Sequence, residues 1–235
     1  MAYKVGLLVI ATNKYIDFVE PLWNSAKKHF LVGQDVNLFL FTDKDLKASQ
    51  IFKDDPKVRI ILQNHMPWPG STLFRYNVFD AARVALSEMD YLFYSDADML
   101  FVDTVGPEIL SDRVATIHPG FFDKPRAAFT YETNPSSTAF VAPTEGTTYY
   151  AGGFNGGTKV EYLRMCKVLS DRIAQDYQKG LIAVWHDESH LNRYMIDNPP
   201  TLSLSPSYCF PESWTHLPFQ KRLLALDKNH KEMRK

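Results

Sequence analysis

The sequence predicts an α/β domain built on a mostly parallel sheet. Short apolar runs at residues 3–12, 36–42, 58–62 and 91–94, rich in Val, Ile, Leu and aromatics, alternate with stretches of helical periodicity. A length of 235 residues with 45% hydrophobic content suits one large domain of this class, or two small ones, with a full core. The fourth run ends in two carboxylates, Asp96-Ala97-Asp98, and the carboxyl ends of strands are where open α/β sheets bind ligands.

In chain order, residues 3–12 read as a buried first strand that exits through Ile10, Ala11 and Thr12 into a polar turn reaching Tyr15. A helix follows, with Phe18, Leu22, Ala26 and Phe30 repeating every four residues and Gly33 placed to close it. Residues 36–42 and 58–62 are the second and third strands. Pro67-Trp68-Pro69-Gly70 is a rigid break, and Ser71 or Thr72 can cap a helix whose stripe is Val78, Ala82, Ala85 and Met89. Arg75 lies in its first turn, where a cation opposes the helix dipole; a surface arginine is the plainer account, and a buried partner the other. Residues 91–94 then lead to the Asp pair. In a locally extended chain, residues i and i+2 point the same way, so Asp96 and Asp98 repel unless a cation lies between them. Asp at a strand end also serves ordinary turns and caps, and the motif alone more often means that.

Regularity falls beyond residue 101. Tyr149-Tyr150-Ala151-Gly152-Gly153-Phe154-Asn155-Gly156-Gly157 holds four glycines in six residues, which predicts tight turns or close backbone approach to a ligand. Residues 160–177 form an amphipathic helix, ended by Gly180. A last helix opens at Trp185-His186-Asp187-Glu188, with Leu191, Tyr194 and Met195 inward and Pro199-Pro200 beyond it; acids at its start suit the helix dipole. Residues 228–235 are a basic tail, whose plain reading is a solvated terminus.

A net charge of −1 gives no electrostatic case for nucleic acid or an acidic membrane. Aromatic content of 14% suits carbohydrate or nucleotide stacking as well as a large core. Two cysteines build neither a disulfide framework nor a zinc site. No run of ~18 apolar residues forms a membrane anchor, and the apolar start of the chain leads straight into a polar loop without a small-residue cleavage site. The expectation is a soluble, cytoplasmic protein, or a piece cut from something longer.

Taken in order, His118-Pro119-Gly120-Phe121, Ala128-Phe129-Thr130-Tyr131-Glu132, the Tyr149–Gly157 glycine run, residues 183–192 (Ala-Val-Trp-His-Asp-Glu-Ser-His-Leu-Asn), Leu204-Ser205-Pro206 and Lys228-Asn229-His230 resemble the family 6 glycosyltransferases, the histo-blood-group A/B transferase and α-1,3-galactosyltransferase family, in a compact microbial or viral form. The resemblance covers nearly the whole chain and implies a single-domain GT-A fold over residues 1–235. Residues 1–100 would be a nucleotide-binding half, 101–227 a donor-sugar and acceptor half, and 228–235 a basic lid. It implies retaining α-1,3 transfer from a UDP-sugar to a galactose-containing glycan. Asp96 and Asp98 match the metal motif, for Mn²⁺ first and Mg²⁺ second. Ile10, Ala11, Thr12 and Tyr15 match the uridine pocket; Arg75, Asp96, Ala97, Asp98 and Asp187 match donor contacts; Lys228 and Arg234 match the tail that closes over the diphosphate. Glu188 matches the catalytic glutamate, either nucleophile or stabiliser of an oxocarbenium-like ion. Trp68, His118, Thr130, Trp185 and Glu188 match acceptor positions. Ala151, Gly152 and Gly153 match the donor-selecting run, and Gly153 leaves room for an N-acetyl group, favouring UDP-N-acetylgalactosamine over UDP-galactose. Two features depart from the pattern: Asn155 stands where relatives often have an apolar residue, and Pro211 replaces an acidic acceptor contact. A catalytically silent sugar-binding protein and a hydrolase of UDP-sugars are the rival readings. The presence of Asp96, Asp98, Asp187, Glu188 and both tail cations stands against the silent one.

Overall fold

The computed structural model describes residues 2–229 and Glu232. The strands and helices run β1 (Lys4–Ile10), α1 (Ile16–His29), β2 (Asp35–Thr42), α2 (Asp45–Ile51), β3 (Val58–Leu62), α3 (Gly70–Leu73), α4 (Arg75–Ala81), α5 (Arg83–Leu86), β4 (Tyr91–Ser95), β5 (Met99–Phe101), β6 (Arg113–Ile117), β7 (Tyr150–Thr158), α6 (Lys159–Gln178), α7 (His186–Asp197), β8 (Leu202–Leu204), β9 (Phe210–Pro211) and β10 (Leu223–Ala225). A seven-stranded sheet takes the order β3-β2-β1-β4-β7-β6-β8, and a small sheet the order β5-β10-β9. In the large sheet β7 alone runs against the rest, pairing antiparallel with both β4 and β6. This mostly parallel sheet flanked by helices is the α/β arrangement that the GT-A resemblance implies.

Alternation along the strands makes two cores. Val5, Leu7, Val9 and Phe93 face Trp23 and Phe30 of the α1 layer. Leu8, Phe39, Phe41 and Tyr94 face Phe79, Tyr162 and Leu191 on the other side. β1 lies between β2 and β4, so the chain winds one way through β2 and β3 and the other way through β4. The crevice at such a reversal, outside the carboxyl ends of the strands, is the expected ligand position. Ser95 at the end of β4 pairs with Phe154, so the first residues of the antiparallel β7 arrive at that same edge.

Three sequence expectations change in detail. The helix expected from residue 71 is three short pieces, interrupted at Phe74 (φ −96°, ψ 16°) and Ala82 (φ −92°, ψ 8°) in the bridge region between helix and strand. Ser71 does not cap it; its hydroxyl donates to the Met66 carbonyl at 2.6 Å. α1 ends at His29 before Gly33, which turns the chain toward β2 at φ +93°.

The glycine run is the third and most informative difference: it is a buried strand, β7, and not a loop. A Cβ on Gly156 would lie 2.2 Å from the Phe93 ring, and one on Gly157 2.1 Å from the Asp112 carbonyl oxygen, so these two serve packing. Cβ atoms on Gly152 and Gly153 would instead approach Glu188 at 3.5 Å and Asp96 at 3.0 Å, so these two serve the site. The buried Asn155 donates through Nδ2 to the Gly152 carbonyl at 3.2 Å, which gives its polar side chain a purpose on this strand.

Candidate active site

Asp96 and Asp98 sit in a turn between β4 and β5 rather than on extended chain. They reach one cavity all the same, about 270 Å³ in volume, lined also by Ile10, Thr12, Tyr15 and Arg75. The turn is tied at both ends: the Asp96 N–H donates to the Gly153 carbonyl, and Leu226 N–H to the Asp98 carbonyl, each at 2.9 Å. Each carboxylate faces its own cation. Arg75 Nη2 lies 3.3 Å from Asp96 Oδ1, which also accepts from the Tyr94 hydroxyl. Lys228 pairs with Asp98, with its ammonium 5.2 Å from the centre of the Tyr15 ring.

Arg75 is the hub. Only 6% exposed, its side chain spans α4, β4, β7 and α7. Nη1 donates to the Gly152 carbonyl at 3.0 Å, and Nε lies 3.0 Å from Asp187 Oδ2, a charge contact out of line for a hydrogen bond. The guanidinium carbon stands 4.3 Å from the centre of the Tyr94 ring. Burial opposes charge on Arg75, but Asp187 and Asp96 outweigh it and hold the guanidinium protonated. A cation at the start of α4 is thus a site residue and not a surface one.

Asp187 and Glu188 open α7, just after His186, whose φ of +52° is a strained value for a non-glycine residue. Glu188 is held at both oxygens: Oε2 accepts from the Gly152 N–H at 2.8 Å and Oε1 from the Tyr149 hydroxyl at 3.0 Å. Burial pushes the Glu188 carboxyl up to about 7, with the Gly152 amide and the Tyr149 hydroxyl acting the other way. Burial likewise raises Asp187 to about 7, with Arg75 opposing. Between the ordinary carboxyl value of 4.5 and about 7, the folded chain holds a proton at Glu188 that the unfolded chain releases. The stability tied to this group is therefore present at low pH and lost as pH rises through that window. Glu188→Gln is expected to melt above the native protein by a margin that widens between about pH 5 and about pH 8. Thermal unfolding across that range measures the margin, and a pH-independent margin would refute the assignment.

The acceptor-type residues divide: His118 and Thr130 lie with Tyr149, whereas Trp68 lines the cavity of Asp96 and Asp98. His118 lies 4.8 Å from Phe121 and 5.7 Å from Tyr149, ring centre to ring centre. Burial lowers His118 to about 4, so the ring is neutral. Its Nδ1 accepts from the Gly120 N–H at 3.0 Å, which leaves Nε2–H as the donor. Thr130 lies close to the Tyr149 hydroxyl and acts against the upward push that burial gives it. Trp68 and Trp185 are each 49% exposed, and Trp68 meets the His186 ring edge-to-face at 4.9 Å. Ala97 lines the cavity; Ala11 does not, being fully buried with its N–H on the Phe41 carbonyl at 2.8 Å. Ala151 is buried at the start of β7, one residue before the amide that holds Glu188. Arg234 and His230 lie outside the described residues. The sequence reading missed His65, whose Nδ1 is 2.9 Å from Thr12 Oγ1, as well as Met66 and Tyr94 on the cavity wall. A His-Met pair in a loop carries no spacing signal; Tyr94 did sit in the strand run that ends at Asp96.

The donor set bears on a metal. Among the described residues no three His, Cys, Asp or Glu side chains converge to hold one. Two carboxylates on one cavity do suit Mg²⁺ or Mn²⁺, which take one or two protein carboxylates and fill their shells with substrate phosphate oxygens and water. Asp96, Asp98, Asp187 and Glu188 face the two fixed cations Arg75 and Lys228, an excess of negative charge that a divalent ion offsets. The residues fit the ion.

The glycosyltransferase family 6 model matches residues 1–235. The chain belongs to glycosyltransferase family 6. This family 6 enzyme is a hexosyltransferase, and it is 38% identical to histo-blood group ABO system transferase 1 of Rattus norvegicus, over 98% of this chain and 68% of the relative. It is 36% identical to globoside alpha-1,3-N-acetylgalactosaminyltransferase 1 of Homo sapiens, over 96% of this chain and 67% of that one. It is 28% identical to O-antigen biosynthesis glycosyltransferase WbnI of Escherichia coli, over 89% of both chains. Among the described residues no helix of this family 6 enzyme is long and apolar enough to cross a membrane.

Proposed function

We propose that the protein moves N-acetylgalactosamine from UDP-N-acetylgalactosamine, in α-1,3 linkage and with retention, to a galactose-containing acceptor. The observation that carries this is the Asp96–Arg75–Asp187 line ending beside a two-point-anchored Glu188 at the carboxyl edge of the sheet. Ile10, Thr12 and Tyr15 form the wall for the uracil and ribose, and Asp96, Asp98 and Lys228 the diphosphate end. Asp187, fixed by Arg75, accepts hydrogen bonds from sugar hydroxyls. Glu188 in its ionised form faces the anomeric carbon, its two oxygens held by the Gly152 amide and the Tyr149 hydroxyl so that no reorientation is needed as positive charge develops. Asp96 and Asp98 would hold Mn²⁺ or Mg²⁺, which supplies Lewis-acid neutralisation of the departing diphosphate. Lys228 would exchange Asp98 for a phosphate oxygen of the donor.

The donor reading rests on Gly153. A methyl there would stand 3.0 Å from Asp96 Oδ2 and 3.3 Å from Cys209 Sγ, so glycine makes room for these two side chains and lets Asp96 sit close to this strand. The human relative's name specifies N-acetylgalactosamine, which agrees. UDP-galactose is the second reading, since one methyl's worth of space discriminates by only ~1–3 kcal/mol. The test is UDP release with each donor and a galactoside acceptor, in Mn²⁺ or in EDTA. UDP-N-acetylgalactosamine is expected to give the higher kcat/KM, and EDTA to remove the activity. Full activity in EDTA would end the metal assignment, and a preference for UDP-galactose would reverse the donor.

A further inference from the structure

We propose that Trp214, with His216 behind it, forms an acceptor subsite that takes the apolar face of a second sugar, the unit next to the galactose that receives the transferred residue. This rests on the transferase reading above and adds to it a binding position that the family resemblance does not assign.

A series of rings leads outward from Glu188. Glu188 accepts from the Tyr149 hydroxyl. Tyr149 packs against Phe121 at 4.7 Å and His118 at 5.7 Å. His118 and Trp214 flank Gly120: a Cβ built there would lie 3.3 Å from the His118 ring and 3.9 Å from Trp214 Cη2. Trp214 in turn lies 4.8 Å from His216, their planes 35° apart. Trp214 is half-buried and His216 exposed, so the row ends in solvent. An aromatic row from the reacting edge to solvent, interrupted by a bare glycine between His118 and Trp214, offers faces for pyranose rings laid end to end. Their C–H faces stack on aromatic rings while the hydroxyls stay wet.

Trp214 is also held in place. Its N–H donates to the Pro211 carbonyl at 3.1 Å, closing a turn, and the Glu212 N–H donates to the Ala225 carbonyl at 2.9 Å, fastening that turn to β10. Glu212 Oε2 further accepts from the Asp227 N–H at 2.9 Å. The backbone that carries the ring is anchored in this way, which leaves only side-chain torsions to be ordered on binding.

The test compares methyl β-galactoside with lactose as acceptors for the native enzyme, Trp214→Ala, Trp214→Phe and Gly120→Ala, alongside UDP release without acceptor. Lactose binding in the presence of UDP and Mn²⁺ is followed separately by saturation-transfer NMR. Trp214→Ala is expected to raise KM for lactose by about 3- to 10-fold, leaving KM for methyl β-galactoside and acceptor-free UDP release unchanged. Trp214→Phe should keep most of the lactose affinity. Gly120→Ala should weaken lactose binding by filling the gap between rings. An unchanged lactose KM in Trp214→Ala, with transfer proceeding, overturns the subsite and leaves the transferase reading intact. Equal losses on both acceptors also overturn it, since they mark a structural role. Trp214-dependent lactose binding without transfer keeps the subsite and overturns the transferase reading. A native enzyme that neither binds lactose nor transfers to it overturns both.

Discussion

Glu188→Gln is expected to lower the transfer rate by at least ~10²-fold while UDP affinity stays near the native value. The two halves of this expectation come from different parts of the structure. The carboxylate is held by Gly152 and Tyr149, at the beginning of β7 and away from the nucleotide cavity lined by Ile10, Thr12 and Tyr15. The amide keeps the shape and removes the negative charge, so a site that uses that charge on a developing cation loses rate and not donor affinity. Steady-state kinetics with UDP calorimetry on the same sample separates the two. A Glu188→Gln enzyme with a native rate would remove this residue from the chemistry.

The second large effect is on stability. Arg75→Ala leaves Asp187, 1% exposed, without its compensating charge. Stripping one partner from a buried ion pair costs ~3–5 kcal/mol, about 6–20 °C in Tm for a chain of this size. The loss should shrink as pH falls through about 7, because Asp187 takes a proton there and, without Arg75 to oppose burial, takes it more readily still. Arg75→Lys keeps a charge but not the planar fork that reaches Asp96, Asp187 and the Gly152 carbonyl together, so it should fold better than Arg75→Ala and still lose activity. Melting curves of both variants across pH check this; a native Tm in Arg75→Ala would contradict the geometry.

Much of this was legible in the chain. The strand-helix alternation revealed the parallel half of the sheet because β1 to β4 carry mostly apolar runs bounded by polar turns. A cation at a helix start made Arg75 unusual, yet a surface arginine was the plainer account, and its partners Asp96 and Asp187 meet it only in the folded chain. What stayed hidden depended on packing across the sheet. β7 read as a loop because its glycines erase strand propensity, and their reason, room for Phe93 and the Asp112 carbonyl on one part and for Glu188 and Asp96 on the other, exists only once β4, β6 and α7 surround them. The Asp96–Asp98 pair was expected to share a side through extended geometry. It converges instead from a turn pinned by Gly153 and Leu226, a restraint between distant parts of the chain. Asn155, a departure from the family pattern in sequence, is explained by its bond to the carbonyl that Arg75 also holds.

The most direct test of the central claim is the NMR spectrum of the product formed from UDP-N-acetylgalactosamine and lactose with Mn²⁺. The expected result is a new N-acetylgalactosamine anomeric signal with the small coupling of an α-linkage, attached at O3 of the galactose. A β-linked product, or UDP released at the same rate with and without lactose and no new glycoside, would contradict it.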